Sequence, residues 1–477
     1  MADPAEASTP SVPAPASGGF WSDVRDALRG SEHDYTRGPI GRSILLLAIP
    51  MVLEMAMESV FAVTDVFFVG RLGPDAVAAV GLTESMLTLV YALAMGLGIG
   101  TTAVVARRIG EKDREGAANA AVQAILLGVL GALLLGSLGV AFAPRLLALM
   151  GASPEVLRTG SGYTRVMLGG EATIVLIFVI NAVFRGAGDA AIAMRVLWLA
   201  NAINIVLGPC LIFGLGPFPE LGVTGAAVAT TIGRGTGALY AISRLLRPGS
   251  RVAVRGRHLR LDPGVMRTVA RLSGSGAFQS IVGMASWIGL VRIVATFGSQ
   301  ALAGYTIGIR LVVFAILPSW GLSNAAATMV GQSLGARDPD RAERSVWRTC
   351  LYDLAFLSLI GLVFVVFARP IVSAFTADPA VLESGTSCLR IVAAGFPFYA
   401  YGMVLSQSFN GAGDTMTPTL LNLFVFWLWE LPLAWGLSVV FGMGPAGCFL
   451  AVAIAFSTLA VAAAAIFRRG RWKKVVV

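Results

Sequence analysis

Three carboxylates share one face of the first long apolar stretch: Glu54, Glu58 and Asp65. At about 100° per residue on a helix, Glu58 stands about 40° from Glu54, and Asp65 about 20° from it after three turns. A rise of ~1.5 Å per residue spreads the stripe over about 16 Å of depth. A carboxylate near the bilayer centre costs roughly 2.5–3.5 kcal/mol even on the lenient insertion scale, so the stripe has to face a cavity or a partner. Glu54 and Glu58 are one turn apart, and in a poorly solvated site both cannot comfortably be ionised. At least one is expected to hold a proton near neutral pH, which makes the pair a candidate proton carrier. The competing reading is that the acids neutralise buried arginines, with Arg234, Arg292 and Arg310 as candidates. Pro50 lies one turn before Glu54 and removes a backbone hydrogen bond, so it is the candidate hinge.

Other chemistries lack their residues. A membrane-embedded enzyme needs His, Cys or metal ligands at membrane depth, and the two histidines, His33 and His258, lie outside the apolar runs. Cys210, Cys350, Cys388 and Cys448 are scattered singly and read as small packing residues. Gly96, Gly98 and Gly100 imitate part of a nucleotide fingerprint, yet they sit inside an apolar helix with no preceding strand, where glycine lets helices approach closely. Gly233 with Gly237 and Gly304 with Gly308 have the same small-residue spacing. No GxxxxGK[ST] loop is present, so this chain does not drive transport by hydrolysing ATP. The expectation is that the protein is not an enzyme and carries neither cofactor nor metal.

Composition says what must position the acids. Hydrophobic residues make up 56% and charged residues 13%, against about 25% charged in soluble proteins; mean hydropathy is +0.77. Runs able to cross ~30 Å of hydrocarbon need about 20 mainly apolar residues. They fall at 44–70, 78–105, 118–142, 163–184, 191–213, 222–245, 269–297, 302–332, 347–368, 387–409, 416–440 and 446–467.

The halves repeat. FRGAGD at Phe184–Asp189 returns as FNGAGD at Phe409–Asp414, 225 positions later (414 − 189), and Gly73/Gly298, Asp113/Asp338, Pro154/Pro379 and Gly170/Gly395 keep that offset. An even number of crossings per half makes the repeat parallel, with its pseudo-two-fold along the membrane normal. The expected fold is therefore an all-α membrane protein of twelve transmembrane helices in two six-helix lobes. Such a chain points to a transporter with its substrate site where the lobes meet. In each GAGD segment a tight turn and an Asp helix cap are expected.

Most of the 36 Lys and Arg residues fall on the side shared by both termini, which the positive-inside rule makes cytoplasmic. The net charge of +9 needs no nucleic acid, since no aromatic platform is interleaved with the basic run Arg244 to Arg271; contact with anionic membrane lipid is expected. The domain reading is a disordered cytoplasmic tail (1–19), an interfacial amphipathic helix and lead-in (20–40), an N-terminal lobe (41–246), a basic linker (247–266), a C-terminal lobe (267–467) and a basic tail (468–477). Phe20, Trp21, Val24 and Leu28 recur at helical spacing against Asp23, Arg25, Asp26 and Arg29.

From about Gly41 to Phe467 the chain resembles the multidrug and toxic compound extrusion (MATE) family. The resemblance rests on VTDVFFVGRLG around Asp65, the two GAGD turns, NIVLGP at Asn204–Pro209, GVTGAAVAT at Gly222–Thr230 and LPSWGLSNAAATMVGQSLGA at Leu317–Ala336. It implies two lobes in a V that export organic, often cationic and aromatic, compounds in exchange for H⁺ or Na⁺ across the plasma (inner) membrane. By the same resemblance Asp65 is the first-helix coupling acid, Asn204 the polar Asn of the fifth helix and Thr230 the nearby Thr of the sixth. The chain departs from the family at Gly208, where many relatives carry Asp, and at Gly283, where one branch carries a seventh-helix Glu. The second position is Glu58 plus 225, so coupling chemistry can have crossed the pseudo-axis. Losing both acids disfavours a Na⁺ cage and favours protons.

Glu430, beside Trp427 and Trp429, is either a contact for a cationic drug or the partner of an Arg. Met86, Trp287, Tyr305 and Tyr399, with Phe178, Trp320 and Phe396, are candidates for an adaptable cavity lining. The expected function is multidrug efflux by cation-coupled antiport, performed by a monomer on small organic substrates. A flippase for lipid-linked oligosaccharide or lipid is the alternative, and the first-lobe acids argue against its anionic cargo.

Overall fold

The structure, a computed structural model, describes residues 19–30 and 33–477 apart from the side chain of Val66. The expected tail 1–19 lies outside the described residues except for Gly19. Lipid satisfies no backbone group, so each apolar run closes its own hydrogen bonds as a helix, and Gly, Pro and Asp punctuate the ends. A short α1 (Phe20–Arg29) leads into α2 (Ile40–Gly70), α3 (Pro74–Gly110), α4 (Arg114–Leu149), α5 (Pro154–Gly169), α6 (Glu171–Ala187), α7 (Ala190–Phe213) and α8 (Val223–Leu246). The second half runs through α9 (Pro263–Ala295), α10 (Ser299–Gly335), α11 (Pro339–Ser373), α12 (Pro379–Ala394), α13 (Phe396–Ala412), α14 (Met416–Asn422), α15 (Leu431–Trp435) and α16 (Pro445–Arg468). Two π-helical stretches, Leu423–Glu430 and Gly436–Val440, join α14 and α15 into one span, Met416–Val440.

The all-α, two-lobed fold is the expected one. Among the described residues ten helices are long and apolar enough to cross a membrane, and α12 with α13, bent by 57°, make an eleventh span. The remaining position belongs to α8, whose 24 residues suffice in length while Arg234, Arg244 and its Gly and Thr residues lower its hydropathy. It packs along α7. The expected span 163–184 is one span, Pro154–Ala187, with α5 and α6 in line across Gly170, whereas the expected continuous span 387–409 is corrected to a bent pair that breaks at Gly395. At that break Pro397 has no N–H to continue the helix.

The repeat extends to backbone torsions. Gly73 and Gly298 have φ of 99° and 100°, Lys112 and Arg337 63° and 61°, and Gly188 and Gly413 85° and 86°. Asp113 accepts from Gly116 N and Asp338 from Arg341 N, both at 2.8 Å. After the second GAGD turn Asp414 caps as expected, accepting from Thr417 N at 3.2 Å, and after the first Asp189 meets Arg251 at 3.4 Å.

The lobes meet through glycines. A side chain at Gly96 would strike the backbone of Ala277, and one at Gly321 the backbone of Met51 and Val52, which is the same crossing repeated. Gly110 lies on the Gln332 carbonyl and Gly335 on that of Arg107. Among the described residues, the hydrogen bonds running between lobes all lie in the half nearest the basic linker, called the basic face below. Gln332 Nε2 donates to Gly186 O at 2.8 Å, Thr328 Oγ1 to Arg185 O at 3.1 Å, and Arg107 Nη2 to Ala412 O at 3.3 Å and Val475 O at 2.8 Å. Each lobe thus grips the other's GAGD turn.

A strap before α2 ties both lobes on this face. Arg341 donates to the carbonyls of Tyr35 (3.0 Å), Arg37 (3.0 Å) and Gly38 (2.9 Å), and Tyr35 OH donates to Gly188 O (3.1 Å). Burial, then the charges of Arg42 and Arg251, push the His33 imidazole below its usual value, so the strap carries no further positive charge at neutral pH. The helix α1 forms as expected and is pinned by Arg42 to Asp23 at 2.8 Å, leaving Phe20 and Trp21 exposed.

Gly335→Leu should wedge the basic face open, at about 1–3 kcal/mol for overpacking. A cysteine introduced at buried Thr328 is then labelled faster in Gly335→Leu than in its parent; equal labelling rates contradict the glycine-crossing account.

Candidate functional site

Helical periodicity places polar pairs of three helices against the acid stripe of α2. From α6, Asn181 and Arg185 reach Glu54: Arg185 Nη1 lies 2.8 Å and Asn181 Nδ2 3.2 Å from Glu54 Oε1. From α7, Asn201 Nδ2 donates to Glu58 Oε2 at 3.0 Å, and Asn204 Nδ2 to Thr230 Oγ1 of α8 at 2.6 Å. One turn on, Arg234 Nη2 donates to Tyr91 OH of α3 at 3.2 Å, its guanidinium 5.9 Å from the Phe61 ring. Half-buried Asp65 and Arg234 act on each other electrostatically, and so do Asp65 and Glu84 of α3. The charge of Arg310, on α10 of the other lobe, also reaches Glu84. The result is a polar column that starts as a closed ion pair near the basic face and ends as an acidic patch beyond it.

The structure brings together Glu54, Glu58, Asp65, Asn204 and Thr230 within the N-terminal lobe. The expected arginine partners are corrected for Glu54. Its ion pair is with Arg185, the Arg of FRGAGD, while Arg292 and Arg310 are exposed. Arg185 lies one turn before left-handed Gly188 and turns back along α6 into the lobe, so the turn motif and the acid stripe are one construction. Sequence reasoning missed Asn181, Arg185, Asn201, Tyr91 and Glu84. The signal available was their spacing, since Asn181/Arg185 and Thr230/Arg234 are i,i+4 polar pairs inside apolar runs. Pro50 is buried, and α2 continues through it as one helix.

The expected substrate-lining residues divide differently. Met86 packs on the N-terminal core, and Trp287 on the C-terminal core. Tyr305 and Tyr399 sit inside the C-terminal lobe rather than on an open wall. Tyr399 stacks on Phe456 at 3.7 Å and Tyr305 on Phe449 at 6.0 Å, because six packed helices close aromatic rings in on one another. Glu430 is 1% exposed among Tyr305, Tyr399 and Cys448, and among the described residues no salt bridge reaches it. Trp427 is partly exposed and donates from Nε1 to Val282 O at 3.0 Å. Two buried acids were not foreseen: Glu171, at the start of α6 beside Gly136, and Asp353, inside α11.

The MatE family model matches residues 50–210 and again 274–435, once in each lobe. The chain is a transporter of the MATE family. It is 25% identical over 449 residues, 92% of this chain and 94% of the other, to the probable multidrug resistance protein NorM of Thermotoga maritima. It is 28% identical to the FAD transporter of Shewanella oneidensis, over 84% of this chain and 89% of that one. A solved multidrug resistance MATE transporter in an outward-facing conformation superposes with a TM-score of 0.87 at 26% identity, covering 92% of this chain and 98% of that one. This MATE-family chain is accordingly a multi-pass membrane protein whose repeat is the family's own.

Glu54 and Arg185 should depend on one another. Breaking a buried pair strands a charge at about 3–5 kcal/mol. Glu54→Gln is expected to lower the melting temperature of the detergent-solubilised protein, and adding Arg185→Gln should recover much of the loss. Strict additivity of the two variants contradicts the pairing.

Proposed function

We propose that the protein exports organic compounds, aromatic cations foremost, across the plasma (inner) membrane in exchange for inward protons. The observation that carries this reading is the N-terminal polar column, in which Glu58, Asp65 and Glu84 outnumber the single buried guanidinium of Arg234 once Glu54 is matched with Arg185. An acidic wall attracts a cationic cargo and binds protons in its place. Asn204 and Thr230 hydrogen-bond to each other beside the stripe and supply neutral relay groups. Gly208 and Gly283 remove oxygen ligands that a Na⁺ site would use, which favours the proton.

Orientation follows from charge. With the Arg-rich linker and both termini in the cytoplasm, the face on which the lobes join is the inner one, which supports an outward-facing reading of this arrangement. Each proton moved through ~100 mV is worth about 2.3 kcal/mol, enough for roughly tenfold or greater accumulation. The cycle needs no catalytic step and no cofactor beyond the coupling ion, and one chain contains both lobes, so a monomer suffices. Lipid contact falls to the basic linker and exposed Phe20 and Trp21. In the second lobe Trp427 is the exposed aromatic group able to meet a cationic cargo, while Glu430 is enclosed with Tyr305 and Tyr399.

Reconstitution in liposomes with a cationic dye, under separate pH and Na⁺ gradients, tests this reading. Dye should accumulate under the pH gradient alone, and Asp65→Asn should abolish that accumulation while inserting normally. Normal rates in Asp65→Asn overturn the assignment of Asp65. Accumulation of FAD in place of the dye favours an anionic cargo like that of the FAD transporter of Shewanella oneidensis.

A further inference from the structure

The C-terminal lobe contains an acid that the N-terminal site does not use. Asp353 lies in the interior of α11, wholly buried, where its Oδ2 accepts from Ser319 Oγ of α10 at 2.7 Å and, among the described residues, its Oδ1 accepts from no protein group. Among the described residues no Lys, Arg or His forms an ion pair with it. The elements packed on α11 are α2, α10, α12 and α13. Their titratable groups nearest in sequence to the contact, Arg42 and Glu54 of α2, Tyr305 and Arg310 of α10, Glu383 and Arg390 of α12, and Tyr399 and Tyr401 of α13, neither hydrogen-bond nor ion-pair with Asp353. Its charge bears on the Cys350 thiol of its own helix. A carboxylate without a counter-charge in such a place is satisfied by a proton. Its surroundings offer one hydroxyl and the Met403 thioether beyond it, too few oxygens to cage Na⁺.

Position gives the acid a task. Ser319 follows Pro318, where α10 lacks a backbone donor, and stands two residues before Gly321, whose backbone lies against Met51 and Val52 of α2. Those α2 residues precede Glu54 by less than one turn. Two buried acids of different lobes therefore bracket one helix crossing: Glu54 on the α2 side and Asp353 on the α10 side.

We propose that Asp353, held by Ser319, is a second proton-binding site, lodged in the C-terminal lobe and acting on the α2/α10 crossing. This rests on the antiport reading above for its role in the cycle. A proton on Oδ1 keeps Asp353 neutral, with Ser319 still donating to Oδ2. Loss of that proton leaves a bare charge beside the crossing, which can be relieved only if α10 and α11 move to admit water or a cation, and the crossing moves with them.

Infrared difference spectroscopy of the full-length protein across neutral pH reads protonation without any cargo. The wild type should show a protonated-carboxyl stretching band that is absent from Asp353→Asn, and Ser319→Ala should shift that band to higher frequency by removing its hydrogen bond. If Asp353→Asn fails to insert, the Ser319→Ala shift still decides. Identical spectra in wild type and both variants overturn the proposal. In liposomes, Asp353→Asn should bind dye normally while losing the pH dependence of efflux. An unchanged pH profile makes Asp353 a packing residue only. Failure of wild-type dye efflux sinks the antiport reading and leaves the infrared result standing.

Discussion

Hydrocarbon solvates neither a backbone amide nor a carboxylate, and the molecule is organised around that constraint. Each apolar run becomes a helix because nothing else satisfies its backbone. Each charge within those helices then needs a partner or a proton. Arg185 answers Glu54 at 2.8 Å, Asn201 answers Glu58 at 3.0 Å, and Tyr91 answers Arg234 at 3.2 Å. The acids thus gain their geometry from the same shortage of solvent that makes them sensitive to protons.

Pairing alone does not make a transporter; the pairs must bear on a contact with two arrangements. The glycine crossings suit such a contact. At Gly96, Gly321, Gly110 and Gly335 backbone meets backbone with no side chain between, so the lobes can part without dragging side chains through one another. The GAGD turns are gripped across the lobe boundary by Gln332 and Arg107, residues that the repeat makes equivalent. Arg185 belongs to one of these turns and also closes the ion pair with Glu54. Arg185 thus joins the acid stripe to the lobe contact, with Thr328 of the other lobe on its carbonyl.

Much of this was legible in the chain. FRGAGD and FNGAGD announced the repeat, the apolar runs marked the spans, and small residues such as Gly96 and Gly304 marked close packing, because each of these is a local pattern with one physical explanation. The acid stripe of α2 was legible for the same reason. What escaped depends on which helices become neighbours. In sequence Arg185 is part of the FRGAGD turn and Asp353 is one polar residue in an apolar run; their contacts with Glu54 and Ser319 depend on how the helices pack. Tyr305 and Tyr399 had the composition of a binding wall, and their burial behind Phe449 and Phe456 is decided by lobe packing. The bend at Gly395 resembles an ordinary packing glycine in sequence, flagged only by the proline that follows.

On the proposed antiport reading, proton occupancy of the buried acids sets how the lobes stand to one another. Spin labels at Asp75→Cys and Gln300→Cys, equivalent exposed positions at the starts of α3 and α10 away from the basic face, report it directly. Double electron–electron resonance on the reconstituted protein should give two distance populations, with the shorter one growing as the pH falls through the neutral range. A single distribution that does not change with pH would contradict the account.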